Sequence, residues 1–148
     1  MAAVPNNDES FAQIRLAPLL RVEALYLLGD TSIGFVICAK EGMTVRQPGF
    51  HAVERGELVI LTLMTAVLES QLENGLPITY HAESVNETTL KGWYATITGP
   101  AEIIIDSPLR AHYQRAFLGF EPDRGTKILR VRPDAIVGHR IQRIPAAQ

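Results

Sequence analysis

The chain has 148 residues, of which 47% are hydrophobic and 20% charged, and its formal net charge is −2. That length fits a single domain and is enough to bury a core without disulfides or a structural metal. The mildly negative charge argues against a general binder of nucleic acid or anionic membrane, and a lone cysteine excludes an intrachain disulfide or a cysteine-based zinc site.

Residues 1–9 are polar and acidic, unlike a secretory signal, and read as a disordered lead-in to one domain over residues 10–148. No apolar run approaches the ~20 residues of a membrane span, so a cytoplasmic protein without membrane contact is expected. In "SFAQIRLAPLLRVEALYLLG" the apolar spacing is helical, Ser10 with Gln13 fits a capping box, and Pro18 is expected to split or kink the helix. The period then shortens. "SIGFVICAKEGMTVRQPGF" reads as two strands around Lys40-Glu41-Gly42, and "FHAVERGELVILTL" as a third and fourth around Glu54-Arg55-Gly56-Glu57. "TAVLESQLENG" is a short helix capped by Thr65 and closed by Gly75.

"LPITYHAESV" is a strand, and "GWYATITGPAEIII" is the clearest one. There Trp93, Ala95, Ile97 and Gly99 alternate with Tyr94, Thr96 and Thr98, and Gly99-Pro100 marks a bulge or sharp bend. Asp106-Ser107-Pro108 starts a helix running to Gly119. "TKILRVRPDAIVGHRI" gives two final strands around Arg132-Pro133-Asp134. Seven or eight short strands with tight turns and three or four short helices predict a mainly antiparallel, closed or nearly closed barrel with helices at its ends.

Few side chains point to chemistry by pattern alone. His51, His81, His112 and His139 lack metal-ligand spacing with one another or with Cys38, so no metal is expected. Cys38 lies in the apolar run "IGFVICA" and reads as a core thiol, since a reactive thiol needs a basic, partly exposed setting. His112 and His139 read as surface residues, and His81 falls on either face of an alternating strand. Glu69 and Glu73, at i,i+4, read as a solvated helix face, as do Arg130 and Arg132 on their strand. Tyr80 and Trp93 on neighbouring strands are either core or a flat wall for an apolar ligand.

Three stretches carry a family resemblance. "GWYATITGPAEIII" is similar to a Gly-Trp strand ending in Gly-x-Ala, "ILRVRPDAIVGHRI" to a closing basic strand, proline turn and Gly-x-Arg-Ile, and "VRQPGFHAVERGELVILT" to a hairpin commonly carrying Arg-Pro-Val-Asn-His before an acidic-glycine turn. In order and spacing, from Leu19 to Ile144, the chain resembles the FMN-binding split barrels of the pyridoxamine 5′-phosphate oxidase-like superfamily. The resemblance implies an antiparallel split β-barrel and a homodimer with its ligand sites at the subunit interface. It also implies a phosphate held by hydroxyls and basic side chains around the fourth strand and the helix after it.

Here the sequence departs from that pattern. Gly56 to Leu90 holds five carboxylates and no lysine or arginine, a formal charge of −5. Thr62 and Thr65 remain as hydroxyl donors, with Arg46, Lys91, Arg130, Arg132 or the following helix N-terminus as distant sources of positive charge, and charge-assisted bonds are roughly twice as strong as neutral ones. Gly49 and Phe50 stand where Val and Asn are usual.

Three functions follow from the resemblance. One is a cofactor-independent enzyme that folds and cyclises, or isomerises, an apolar substrate such as a polyketide intermediate of antibiotic biosynthesis. Tyr80 and His51 would then be its catalytic groups, and Phe50, Thr62, Leu63, Met64, Thr65, Val67 and Trp93 its wall. The second is an FMN- or F420-dependent oxidoreductase, with Arg46, Thr62, Thr65 and Lys91 on FMN. The third is a non-catalytic small-molecule binder. The missing cation and missing asparagine favour the first.

Overall fold

A computed structural model describes residues 13–117 and 125–144. In chain order the elements are β1 (Gln13–Pro18), α1 (Arg21–Gly29), β2 (Ile33–Lys40), β3 (Met43–Glu54), β4 (Glu57–Leu63), α2 (Ala66–Glu73), β5 (Ile78–Asn86), β6 (Lys91–Gly99), β7 (Ala101–Ile103), α3 (Ser107–Gln114) with a 3-10 turn (Arg115–Phe117), β8 (Thr126–Val131) and β9 (Ala135–Ile144). One antiparallel sheet runs β1-β9-β6-β5-β2-β3-β4-β8-β7.

β6 and β7 are one run of chain bent at Gly99-Pro100. The first half pairs with β5 and β9 and the second with β8, which closes the barrel. Only glycine fits at the bend, since a Cβ on Gly99 would lie 1.7 Å from the Arg132 carbonyl oxygen. The two hairpin turns form as expected, with positive φ at Glu41 and Gly42 and at Arg55 and Gly56, the twist that two-residue hairpins favour.

Two expectations are corrected. Gln13–Pro18 is a strand, not a helix. Ile14, Leu16 and Pro18 alternate, and the segment pairs with β9 from Gln13–Ile144 to Pro18–His139. The helix begins only at Arg21, where the Glu23 carboxylate accepts from the Leu20 amide at 2.9 Å. The second and third strands are one, the twelve-residue β3, which continues through Pro48 and Gly49. Residues 1–9 and the predicted end of the third helix at Gly119 lie outside the described residues.

The barrel interior is filled by inward residues of β2, β4, β5, β6 and β8, among them Val36, Ile60, Tyr80, Ile97 and Leu129, with Leu28 of α1 and Leu68 of α2 at its ends. On the outside, Tyr113, Phe117 and Ile104 cover Val59, Leu61 and Ile128. β4 is therefore buried on both faces, and that is why its "LVIL" is continuously apolar. Each such aliphatic side chain stabilises the fold by about 1.5–3 kcal/mol.

Candidate functional site

His51 and Tyr80 meet, but inside the barrel. Gly34 and Gly49 face each other across β2 and β3. A Cβ on Gly34 would lie 2.6 Å from the Tyr80 ring and hydroxyl, and one on Gly49 3.1 Å from its Cε1. The two glycines form a notch for the tyrosine ring, which accounts for glycine at position 49. The Tyr80 hydroxyl is 2.6 Å from His51 Nδ1, and His51 Nε2 is 3.0 Å from the Leu28 carbonyl and 3.1 Å from Thr31 Oγ1.

A carbonyl only accepts, so Nε2 carries the proton and Nδ1 accepts from the tyrosine. Burial holds the His51 pKa below its ordinary value against the raising effect of the Leu28 bond, and burial pushes the Tyr80 phenol upward. Both groups are therefore neutral. Tyr80 is 0% and His51 3% exposed, so a bound molecule reaches neither unless the barrel opens. The pair organises the core.

The junction after β4 is closed as well. Gln47, which the sequence reading passed over, lies in the barrel end and binds both threonines. Its Nε2 donates to Thr62 Oγ1 at 2.9 Å and to the Leu63 carbonyl at 2.6 Å, while its Oε1 accepts from Thr65 Oγ1 at 2.8 Å. Thr62 spends its own proton on the Pro48 carbonyl, and Thr65 Oγ1 also accepts from the Leu68 amide as the α2 cap. Each side-chain donor that a phosphate would use here already has an acceptor, and Thr62 is 3% exposed. To hold a phosphate, both threonine hydroxyls would have to leave these partners.

One cation does come near. The β4–β8 register sets Lys127 opposite Thr62, a neighbour that reading the local sequence misses.

The proposed wall residues do not share one surface. Trp93 belongs to the barrel core, and Met64 and Val67 pack against that core from its margin. Phe50 packs on the outer cluster under α3, and Leu63 is exposed. Val67 also lines a groove with Ala39, Ser70 and Leu76 between α2 and the β2–β3 turn. Arg46 lies over the Phe35 ring, 4.2 Å from its centroid, and Lys91 is far along the sheet at the start of β6. Arg130 binds Glu102 and Tyr113, and Arg132 binds Asp134. His112 is on the surface beside Glu54. His139 is only half-exposed, and its ring lies 5.4 Å from that of Tyr94.

No family model matches the chain. Over 125 residues it is 26% identical to an uncharacterised protein of Mycobacterium tuberculosis, with 82% of each chain covered. It superposes on a FAD-binding protein of Mesorhizobium loti with a TM-score of 0.69 at 15% identity, over 88% of this chain and 99% of that one. For a FAD-binding protein of Mycobacterium smegmatis the values are 0.67 and 20%, over 84% and 97%. For a provisionally assigned pyridoxamine 5′-phosphate oxidase of Corynebacterium glutamicum they are 0.63 and 21%, over 91% and 96%. The fold is the pyridoxamine 5′-phosphate oxidase-like split barrel.

On the outside of this split barrel, β2, the middle of β3, β5 and β6 present a partly exposed face. Phe35 and Pro48 are paired on it, as are Ile37 and Arg46, with His81 beside Phe35. His81 is held at both nitrogens. Nε2 is 2.9 Å from Glu83 Oε1 and Nδ1 is 3.0 Å from Thr96 Oγ1. The carboxylate fixes the proton on Nε2, and the side chain of His81 is 20% exposed. Strand alternation left the direction of His81 open. The burial pattern of β5 decides it: Ile78, Tyr80 and Ala82 point inward, so His81 turns to the outer face. Among the described residues no helix of the split barrel is long and apolar enough to cross a membrane.

Proposed function

We propose that this split barrel is a cofactor-independent enzyme that folds and cyclises, or isomerises, an apolar carbonyl-bearing molecule such as a polyketide, bound on the outer sheet face where two copies meet. The observation that carries the reading is the Gln47 bridge, which commits the Thr62 and Thr65 hydroxyls where a flavin phosphate would need them. His81 takes the role first given to His51, because it combines an accessible imidazole with an orienting carboxylate, the arrangement that suits proton transfer. Once Thr96 turns its hydroxyl away, Nδ1 accepts a proton from the carbon beside a carbonyl. That carbon's electron pair bonds to a second carbonyl carbon, and the oxygen so charged takes the proton back. No external reagent is consumed. Holding the chain in its reactive shape supplies up to ~7–11 kcal/mol, with Phe35 and Pro48 as the apolar surface.

A second reading, a flavin-dependent oxidoreductase, is favoured by Lys127 opposite Thr62 and by the FAD-binding proteins that share the fold. The absorption spectrum of the purified protein and titrations with FMN, FAD and F420 separate the two. Colourless protein that binds none of them at micromolar concentration is expected; a yellow preparation, or micromolar flavin binding, overturns the cofactor-independent reading. In an assay with a cyclising substrate, His81→Gln lowers kcat at unchanged melting temperature; full activity in that variant removes His81 from the chemistry.

A further inference from the structure

The end of the sheet near residue 91 holds a cavity whose charge sets it apart. β9 pairs with β6 only as far as Ile141–Gly92 but continues to Ile144 against β1. The overhang leaves a cavity of about 430 Å³ beside the start of β6, lined by Lys91, Gly92, Arg140, Ile141, Arg143 and Ile144, together with Gln142. Among the described residues three cations and no carboxylate line it, in a chain whose net charge is −2. Arg15 stands opposite Gln142 in the β1–β9 register and adds a fourth positive charge at its edge. Among the described residues Glu23 lies 3.9 Å from Arg140, with both side chains 42% exposed.

The cavity at the barrel bend is different. It holds Arg130 and Arg132 but also Glu57 and Glu102, so its lining is neutral and its arginines are already paired.

We propose that the β6–β9 overhang binds a phosphate monoester joined to an apolar group. Three cationic side chains, of which Arg140 also lies near Glu23, suit a dianion better than a single carboxylate, and guanidinium groups meet phosphate oxygens in pairs of hydrogen bonds. Ile141 and Ile144 give the apolar half. The site is independent of the enzymatic reading above, because it shares none of the residues assigned to that chemistry.

Trp93, the chain's one tryptophan, is buried next to the cavity residue Gly92 and pairs with Arg140 in the β6–β9 register, so its emission is the optical signal to follow. The probes are 1-naphthyl phosphate, 1-naphthol and inorganic phosphate, titrated by calorimetry and Trp93 emission at low salt. The naphthyl phosphate is expected to bind at sub-millimolar concentration, inorganic phosphate more weakly and naphthol not at all. Lys91→Gln and Arg143→Gln each weaken naphthyl phosphate about tenfold or more, the scale of a lost hydrogen bond to a charged group, whereas Arg132→Gln in the neutral cavity leaves it unchanged. Rising salt weakens binding as screening grows. The proposal is overturned if naphthyl phosphate fails to bind, if both cavity variants bind it as the parent does, or if naphthol binds equally well. Inorganic phosphate binding as tightly as the ester overturns the apolar half.

Discussion

Tyr80→Phe is the sharpest probe of the barrel interior. The substitution keeps the ring in its notch between Gly34 and Gly49 and removes one oxygen. That oxygen donates to His51 Nδ1 at 2.6 Å and lies 3.2 Å from the Gly49 carbonyl oxygen. Without it, an imidazole nitrogen that is fully enclosed loses its hydrogen bond, and such an orphan costs about 1–3 kcal/mol. The longer Gly49 contact adds little, so a loss of about 2 kcal/mol is expected. For a domain of this size that lowers Tm by roughly 4–8 °C. Urea unfolding of parent and variant, with unchanged m values, measures it. The double variant His51→Leu with Tyr80→Phe completes a cycle. Removing both polar partners costs less than the sum of the single losses, with a coupling of about 0.5–3 kcal/mol. A Tyr80→Phe protein as stable as the parent, or strictly additive losses, would refute the network as a stabilising unit.

Other consequences are equally measurable. Because burial lowers the His51 pKa, the unfolded chain binds that proton first, so this contribution to stability is complete above pH ~6.5 and is lost as pH falls from there through the folded-state pKa, with a slope of up to about 1.4 kcal/mol per pH unit. Urea midpoints at pH 7.5 and 5.5 test this against His51→Gln, in which that part of the drop is absent. Gly99→Ala forces a Cβ into the Arg132 carbonyl at the closing bend and costs about 4 kcal/mol or more, read as loss of the cooperative melt. Cys38 is enclosed, and burial pushes its thiol up. A thiol reagent therefore modifies it at the rate of unfolding, and fast labelling of the native protein would contradict the packing.

What the sequence makes legible is what neighbours in the chain decide. The Glu41-Gly42 and Arg55-Gly56 turns, the Thr65 cap, the Asp106 helix start and the Gly99-Pro100 bend each follow from two to four adjacent residues. Gln13–Pro18 was hidden because its partner strand lies at the other end of the chain, and a short apolar-polar segment without its partner fits a helix as well as a strand. The site was hidden for the same reason. Nothing local places Gln47 between two threonines, Lys127 opposite Thr62, or a glycine pair beneath Tyr80. Position 49 did signal something, since glycine inside a strand marks a close approach. The ring that approaches it, that of Tyr80, lies 31 residues away in the chain, out of reach of local pattern.

The first and last strands share a ladder, from Gln13–Ile144 to Pro18–His139, and nearly every residue of β1 is exposed. Its pairing must close a loop that spans almost the whole chain and buries little in return, so entropy weighs on this ladder more than on any hairpin. β1 should be the last strand to dock during folding and the first to lift away. Amide hydrogens of β1 should then exchange well before those of β5 and β6, and whenever β1 lifts, the bare edge of β9, with Val137 beside it, becomes a place where another chain's strand can add.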